Sequence, residues 1–309
     1  MGHRRRKPPP PPRPKRRVLL FLSIPVLLFL SLRLPSSVLR RANSLGRRCA
    51  PERPFLPPNA PSTQRLRIAM ATFSFSGGRE DGLSRRRSFE GLADLAGRNK
   101  RGYAERMGYG FVDAERLVDP HRPPSWSKIP AVRSCLGDYD WVFWNDADTI
   151  VTNFEISLEN ILESAIGHMD FNASPDLVVT EDINGVNAGV FFVRSSDWSK
   201  NFLDMWWNQT SFIQFGSTKS GDNAAMKHLI DNLSPGELQE HVSISSMQCL
   251  FNSYPWSLTW RSVIRLVCSP HAIWRGTYSK GDFILHLAGF DNKKEWAAKI
   301  LQEINVEKL

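Results

Sequence analysis

The sequence predicts an α/β domain with a mainly parallel sheet, preceded by one N-terminal apolar segment. Apolar runs of strand length alternate with helix-spaced apolar residues from residue 63 onward, a pattern typical of parallel α/β sheets. Residues 63–309 are enough for one domain with a sizeable core, and they contain no internal repeat. The third observation is a single uncharged block near the N-terminus, at Val18–Leu32.

The first 34 residues indicate a basic tail followed by a membrane anchor. Residues 1–17 are basic and proline-rich and are predicted to be cytosolic, and residues 18–34 are predicted to be a transmembrane signal anchor. The uncharged block rises about 22 Å as a helix, which suits the thinner membranes of the early secretory pathway. We expect a single-pass type II protein of the Golgi membrane with residues 63–309 in the lumen. A cleaved signal peptide is the alternative, although no clear cleavage site follows.

Residues 35–62 are rich in Pro, Arg and Ser and lack periodicity, which predicts a flexible stem. Within residues 1–53, fourteen Lys or Arg oppose one acid, Glu52, giving a net charge of +13. The rest of the chain must then sum to −4 to reach the formal net charge of +9. Because the positive charge belongs to the tail and stem, nucleic acid is not a supported partner.

The four cysteines have no metal-type spacing. They are Cys49, Cys135, Cys249 and Cys268. In a luminal domain, Cys249 with Cys268 is the most plausible disulfide because the pair encloses a short loop, and free buried thiols are the alternative. N-x-S/T sequons at Asn172, Asn208 and Asn232 agree with a luminal location.

The globular part begins with a strand, helix, strand, helix, strand pattern. The expected elements are a strand at Arg65–Phe75, a helix at Ser88–Gly108, a strand at Tyr109–Val112, a helix at Lys128–Leu136 and a strand at Trp141–Trp144. Further strands are expected at Leu177–Thr180, Val190–Arg194 and Asp282–His286, and further helices after Asp197 and Gly221.

Two carboxylates one residue apart follow the aromatic strand. Asp146 and Asp148 lie where an open α/β sheet reaches its carboxyl edge and binds ligands. A divalent cation held by one or two carboxylates commonly shares its remaining sites with water and substrate phosphates. The pair predicts a metal-bridged, phosphate-bearing substrate, and a solvated turn is the plain alternative. A haloacid-dehalogenase-type phosphatase is a weaker alternative, because DADTI lacks the glycine usual after the second Asp.

Other polar residues are expected near the same edge. Thr72, Phe73 and Ser74 end the first strand before a Ser-Gly-Gly loop, a position where a base or diphosphate often rests. Asp222 and Asn223 begin a helix, where they either act as caps or line the cleft and bind sugar hydroxyls.

The last strand brings an imidazole to the edge. His286 could complement Asp148 as a nitrogen ligand, because Mn²⁺ accepts carboxylate and imidazole together. A purely structural histidine is the alternative. Four other histidines have no such context and are predicted to be structural: His168, His228, His241 and His271.

The order of these motifs resembles glycosyltransferase family 34, which includes fungal α-galactosyl- and α-mannosyltransferases and plant xyloglucan α-xylosyltransferases. Six motifs carry the resemblance: NKRGYAERMGYGF from Asn99, WSKIPAVRSCL from Trp126, WVFWNDADTIVTN from Trp141, NAGVFFVRSSDW from Asn187, GDNAAMKHL from Gly221 and GDFILHLAGF from Gly281. They span nearly the whole globular part in the expected order.

The resemblance implies a GT-A fold, which is Rossmann-like, a nucleotide-sugar donor such as a UDP-sugar, Mn²⁺, and transfer to a glycan or polysaccharide with retention of configuration. An oligomer with related transferases is a further expectation, and the sequence itself does not determine the oligomeric state. By residue, it implies that Asp148 and His286 ligate the metal, and that Asp146 lies near the donor ribose or the metal. It implies that the backbone at Gly289 approaches the diphosphate and that Asp222 and Asn223 contact the sugars. The residues expected to contact the nucleotide are Thr72, Phe73, Ser74 and Ala147.

Two positions depart from the family pattern. Gly221 stands where an acidic residue is common, and Asp291 stands where a Lys is common, although Lys293 and Lys294 lie close enough to assist a diphosphate. A luminal sugar-binding protein without turnover is therefore the alternative function, ahead of a metal-dependent phosphatase.

Overall fold

The computed structural model describes residues 34–47, 49, 66–73, 91–173, 175–215 and 219–306. The predicted cytosolic tail, the predicted anchor up to residue 33, most of the predicted stem and Ser74 lie outside these ranges. Within them, no helix combines the length and the apolar character needed to cross a membrane.

Eight strands and ten α-helices are described in these ranges. The strands are β1 (Ile68–Thr72), β2 (Gly110–Asp113), β3 (Trp141–Asn145), β4 (Thr149–Val151), β5 (Leu177–Asp182), β6 (Gly185–Arg194), β7 (Val242–Ser245) and β8 (Ile284–His286). The helices are α1 (residues 34–40), α2 (Leu92–Met107), α3 (Lys128–Cys135), α4 (Leu158–Ile166), α5 (Asp197–Trp207), α6 (Asp222–Asp231), α7 (Pro235–His241), α8 (Trp260–Cys268), α9 (Pro270–Gly276) and α10 (Lys293–Val306).

The main sheet has six strands in the order β2-β1-β3-β6-β5-β7, and β4 pairs with β8 in a second, two-stranded sheet. The first three strands are parallel as predicted, but β6 runs antiparallel to both β3 and β5. The reason is the short link from Asp182 to Gly185, which joins β5 and β6 as a hairpin, and a link of that length can only reverse the chain. Gly185 has a φ of 102°, which this turn requires.

The aromatic strand β3 lies at the centre of the sheet and is buried on both faces. Val142 and Trp144 pack into the core beside α3 and α5, whereas Trp141 and Phe143 pack into the core on the other face. This alternation follows from the two-residue period of a strand. Both faces are covered, so the polar residues that follow β3 emerge at the edge of the sheet.

The helix predicted from Ser88 begins at Leu92 and ends, as predicted, before Gly108. Gly108 adopts a left-handed conformation with a φ of 71°, and its N–H bonds to the last turn of α2. This helix lies over the site edge, where Lys100 projects from its middle.

Part of the predicted flexible stem packs against the domain instead. We call residues 34–47 and 49 the N-terminal strap. Leu39 and Ala42 are buried, and the Arg47 guanidinium bonds to both carboxylate oxygens of Asp282 at 2.9 and 2.8 Å. Buried apolar side chains and a buried ion pair hold this segment against the domain, although its composition is that of a linker.

The predicted Cys249–Cys268 disulfide is wrong. Cys249 is bonded to Cys49 of the strap, with their Cα atoms 5.6 Å apart, and Cys268 is a free, exposed thiol. The folded strap brings Cys49 to the buried position of Cys249, whereas Cys268 ends α8 on the surface. Cys135 is a free buried thiol.

Candidate active site

The carboxyl edge of the main sheet brings the two motif carboxylates beside the last strand. The Asp146 N–H donates to the Gly189 carbonyl at 2.8 Å, and the Leu287 N–H donates to the Asp148 carbonyl at 2.9 Å. In the β4–β8 ladder, Thr149 pairs with His286. The residue before β4 therefore lies next to the imidazole that ends β8.

Asp146, Asp148 and His286 form what we call the metal cluster. One potential ligand atom from each lies within 4.8 Å of the others, and among the described residues this group has the donor set of a metal site. Asp148 and His286 are buried, and Asp146 is half-buried. His286 Nε2 lies 3.3 Å from Asp148 Oδ1.

A buried amide network fixes which imidazole nitrogen faces the carboxylate. The Gly189 N–H donates to Asn187 Oδ1 at 2.8 Å, so this oxygen also accepts from Asn252 Nδ2 at 3.0 Å. The other amide atom of Asn252 is therefore its oxygen, which accepts a hydrogen bond from His286 Nδ1 at 2.8 Å. In the neutral imidazole, this network leaves the lone pair of Nε2 directed at Asp148.

This arrangement fits a divalent cation. Two acceptors that face each other at 3.3 Å require a shared proton or a cation between them. A carboxylate with an imidazole whose second nitrogen is held by a polar partner is a common donor set for Mn²⁺ and similar metals. Gly189 keeps the cluster open, because a Cβ at this position would lie 2.4 Å from His286 Cε1 and 3.2 Å from Asp146 Oδ2.

Lys293 brings a positive charge to the same carboxylate. Its Nζ lies 2.7 Å from Asp148 Oδ2. Burial disfavours the charged carboxylate, but Lys293, together with His286 when a proton lies on its Nε2, outweighs burial and holds the pKa of Asp148 well below its usual range. Of the two lysines expected to assist a diphosphate, the structure brings Lys293 to the cluster, whereas Lys294 lies against Gly91.

A second buried lysine joins the other motif carboxylates. Lys128 Nζ lies 3.0 Å from Asp146 Oδ1 and 3.0 Å from Asp222 Oδ2, and it donates to the Ala188 carbonyl at 2.9 Å. Burial alone would lower the pKa of Lys128, but the two carboxylates raise it above its ordinary value. The sequence reasoning missed this residue, although Lys128 stands within the WSKIP motif.

A third lysine supports the backbone of the motif. Lys100 Nζ donates to the Asp146 carbonyl at 2.7 Å and to Thr72 Oγ1 at 2.8 Å. Burial lowers the pKa of Lys100 to about 7 despite the nearby carboxylates. Lys100 was also missed, because one lysine on an amphipathic helix gives no signal of its own.

The two residues predicted at the start of α6 are both engaged, in different ways. Asp222 accepts from Ser220 at 2.6 Å and from Ser125 at 3.1 Å, and Lys128 is the main group that lowers its pKa against the effect of burial. Asn223 bridges the backbone of β6 instead: its Oδ1 accepts from the Ala188 N–H at 2.6 Å. Asp222 thus faces the charged edge, and Asn223 holds β6 to α6.

The remaining predicted residues lie along the same edge. Thr72 is buried against Lys100, and the ring of Phe73 packs edge-on against Trp144 with the centroids 4.9 Å apart. Ala147 is half-buried between the two carboxylates. Gly289 has a φ of 70° with open space where a Cβ would be, which favours close approach of a ligand to its backbone.

The chain has recognisable relatives. The profile of the galactosyl transferase GMA12/MNN10 family matches residues 86–170 and 164–297. The chain is 25% identical over 186 residues to the probable alpha-1,6-mannosyltransferase MNN10 of Saccharomyces cerevisiae, an alignment that covers 51% of this chain and 42% of that protein. It is 26% identical over 224 residues to an uncharacterized alpha-1,2-galactosyltransferase of Schizosaccharomyces pombe, covering 62% of this chain and 54% of that protein. The chain thus spans about half the length of these relatives.

Among solved structures, the chain has a match to a glycosyltransferase involved in the glycosylation of the major capsid of PBCV-1. It shares 13% identity with this chain at a TM-score of 0.49, and the match covers 76% of this chain and 99% of that one.

Proposed function

Since this chain belongs to the galactosyl transferase GMA12/MNN10 family, the glycosyltransferase family 34 that its motifs resemble, we propose that it is a metal-dependent glycosyltransferase with a GT-A fold. The proposed donor is a nucleotide-sugar, most simply a UDP-sugar, and the proposed acceptor is a glycan or polysaccharide hydroxyl. The observation that carries the proposal is the metal cluster at the carboxyl edge of the sheet, bordered by Lys293 and Lys128.

The reaction separates charge where these residues lie. The bond from the anomeric carbon of the donor to the diphosphate oxygen breaks, and its electron pair goes to the phosphate. The acceptor oxygen bonds to the anomeric carbon, and its proton goes to the leaving phosphate. Bound at Asp148, His286 and Asp146, a divalent ion would supply Lewis-acid stabilisation of the leaving diphosphate.

The chain's own residues prepare the edge for that charge. Lys293 places a buried cation beside Asp148. In the proposed reaction, this charge next to the metal cluster helps to stabilise the leaving diphosphate. Lys128 stays protonated between Asp146 and Asp222, so it holds the two carboxylates on either side of one buried cation. Asn252 holds His286 with Nε2 facing the cluster.

The finer parts of the proposal rest on the family resemblance and the sequence. They are Mn²⁺ as the metal, transfer of a hexose or pentose with retention of configuration, and a type II anchor at residues 18–34 that places the enzyme in the Golgi lumen. Self-association with related transferases belongs to the same set.

One observation favours a second candidate, a luminal sugar-binding protein without turnover. Lys293 Nζ lies 2.7 Å from Asp148 Oδ2, so a cation already neutralises one of the carboxylates that a metal would use. Such a protein would bind the donor without cleaving it.

A donor panel on the detergent-solubilised full chain separates the two candidates. Nucleotide release and sugar transfer are followed for several nucleotide-sugars with Mn²⁺ or EDTA, beside Asp148→Asn and, as a matched control, Asp204→Asn on the exposed face of α5. The enzyme proposal is supported if one sugar is transferred, if EDTA and Asp148→Asn abolish this transfer, and if Asp204→Asn leaves it unchanged. Donor binding without release supports the sugar-binding protein, and the absence of both contradicts the proposal.

A further inference from the structure

Exposed apolar side chains concentrate in two segments that lie together. Half of the large apolar side chains that are exposed in the described residues fall within residues 34–38 and 258–267. They are Leu34, Val38, Leu258, Trp260, Ile264 and Val267. A concentration of this kind on a folded domain marks an interaction surface more often than scattered single residues do.

The helix α8 carries the larger part of this surface. Trp260, Ile264 and Val267 are spaced by four and three residues and are 76%, 43% and 76% exposed; we call them the α8 stripe. None of the residues of α8 is buried, although Thr259 caps the helix through the Ser262 N–H at 3.2 Å. The helix is therefore well formed but presents its apolar face outward.

Charge on α8 has one sign. Arg261 and Arg265 are exposed beside the stripe, and the helix contains no acidic residue. An apolar stripe that includes tryptophan and is flanked by arginines is typical of helices that lie in the plane of a membrane interface. Tryptophan suits that layer because its ring is apolar and its N–H can remain hydrated.

The N-terminal strap connects this surface with the predicted anchor. An apolar cavity of about 800 Å³ separates α1 from α8 and α9, and it is lined by Leu34, Pro35, Val38, Leu39, Leu266, Pro270, His271 and Trp274. Leu34 follows directly on the uncharged block Val18–Leu32 and Arg33. A chain that leaves a bilayer at residue 34 would enter the fold beside α8.

We propose that the α8 stripe and the exposed face of α1 dock on the lipid bilayer that holds the anchor, with the stripe at the boundary between headgroups and acyl chains. The inference rests on the anchor of the proposed function and goes beyond it, because it gives the domain a fixed orientation on the membrane. Arg261 and Arg265 contact lipid phosphates in this arrangement.

The free thiol next to the stripe allows a direct test on the full chain. In a Cys268→Ser background, one variant carries a spin label at Val267→Cys. A second variant carries the matched control label at Met205→Cys on α5, where Met205 is 44% exposed. The chain is reconstituted in vesicles of phosphatidylcholine and phosphatidylserine. Collision rates with lipid-soluble oxygen and with an aqueous nickel chelate report the depth of each label.

The expected result is a several-fold higher oxygen-to-nickel ratio at residue 267 than at residue 205. Equal ratios in a chain that still floats with the vesicles would overturn the docking while leaving the anchor intact. A chain that does not float contradicts both the anchor and the docking. Shielding at residue 267 that persists in lipid-free detergent, with spin–spin broadening, would instead assign the stripe to a second copy of the chain and overturn the proposal.

A second variant separates lipid from acceptor. Trp260→Glu with Val267→Glu should return a label at Ile264→Cys to water while transfer to a soluble acceptor keeps its KM and kcat. A raised KM for the soluble acceptor, with no change in label depth, would make the stripe an acceptor surface and contradict membrane docking.

Discussion

Two buried clusters each place an aspartate beside basic side chains, and they differ in the other groups that bond to the aspartate. In the strap cluster, formed by Asn43, Arg47 and Asp282, the Asp282 oxygens accept from Arg47, from Asn43 Nδ2 at 2.7 Å and from the Ser279 N–H at 2.8 Å. Arg47 also donates to the Trp274 carbonyl at 3.0 Å and to the Thr277 carbonyl. In the metal cluster, the Asp148 oxygens face the side-chain ends of His286 and Lys293.

The pKa shifts run in opposite directions. Burial raises the pKa of Asp282 despite Arg47, whereas Lys293, together with His286 when a proton lies on its Nε2, holds the pKa of Asp148 well below its usual value despite burial. The partners of Asp282 include backbone groups that cannot leave. The partners of the Asp148 carboxylate are the side chains of Lys293 and of His286, which is itself a potential metal ligand, so Asp148 is the better candidate for a ligand site.

Removal of one charge from the metal cluster should have the largest effect on activity. Asp148→Asn keeps the shape of the side chain but halves the carboxylate charge available to the metal, and loss of several kcal/mol of transition-state stabilisation corresponds to a fall of roughly a thousandfold in kcat/KM. Steady-state kinetics with saturating Mn²⁺ measures this effect. Activity within tenfold of the wild type would show that the cluster is not the catalytic metal site.

Removal of one charge from the strap cluster should instead affect stability. Arg47→Met leaves Asp282 buried without its cation and should lower the free energy of unfolding by about 3–5 kcal/mol, as measured by denaturant titration. The exposed Arg40–Glu303 pair provides the control, and Arg40→Met should cost less than about 1 kcal/mol. Equal losses of unfolding free energy in the two variants would contradict a special role for the strap cluster. Metal binding by the folded Arg47→Met variant should match that of the wild type.

The sequence revealed the metal cluster better than the strap cluster for a physical reason. Asp146 and Asp148 directly follow a buried aromatic strand, so local pattern alone predicts their position at the sheet edge. His286 ends a predicted strand and is also locally marked. Arg47 and Cys49 stand in a proline-rich, linker-like segment, and their partners Asp282 and Cys249 lie 235 and 200 residues away along the chain.

Other parts of the fold were invisible for related reasons. The strand β4 has three residues, too few to show periodicity, yet its pairing with the predicted strand β8 sets His286 beside Asp148. Lys128 contacts groups that are distant along the chain, Asp222 at the start of α6 and the Ala188 carbonyl on β6. Prediction from the sequence therefore locates the carboxylates and Lys293, but not the buried Lys100 and Lys128.

The hydrogen bond from His286 Nδ1 to Asn252 should set the strength of metal binding. Asn252→Leu removes the acceptor for His286 Nδ1, and loss of such an orienting partner typically weakens metal binding about 10- to 100-fold. Mn²⁺ binding followed by electron paramagnetic resonance tests this without turnover. Thr180→Val is the control, because Thr180 bonds to the other end of the same amide at 3.1 Å and should have a smaller effect. Equal effects of the two variants would assign Asn252 to general packing.

The smallest expected effect concerns the open side of the metal cluster. In Gly189→Ala, the new methyl group would lie 2.4 Å from His286 Cε1, so the imidazole must shift, at a cost of about 1–3 kcal/mol for overpacking. Part of this shift should appear as weaker Mn²⁺ binding, up to about tenfold if 1.4 kcal/mol falls on the metal-bound state. Gly102→Ala in α2 is the matched control: nothing lies within 4 Å of its new methyl group, and it should raise stability by about 0.5–1 kcal/mol. If Gly189→Ala binds Mn²⁺ as the wild type does, His286 moves freely at that position. The metal cluster then differs from the strap cluster in the mobility of its side chains as well as in the hydrogen bonds made to its carboxylate.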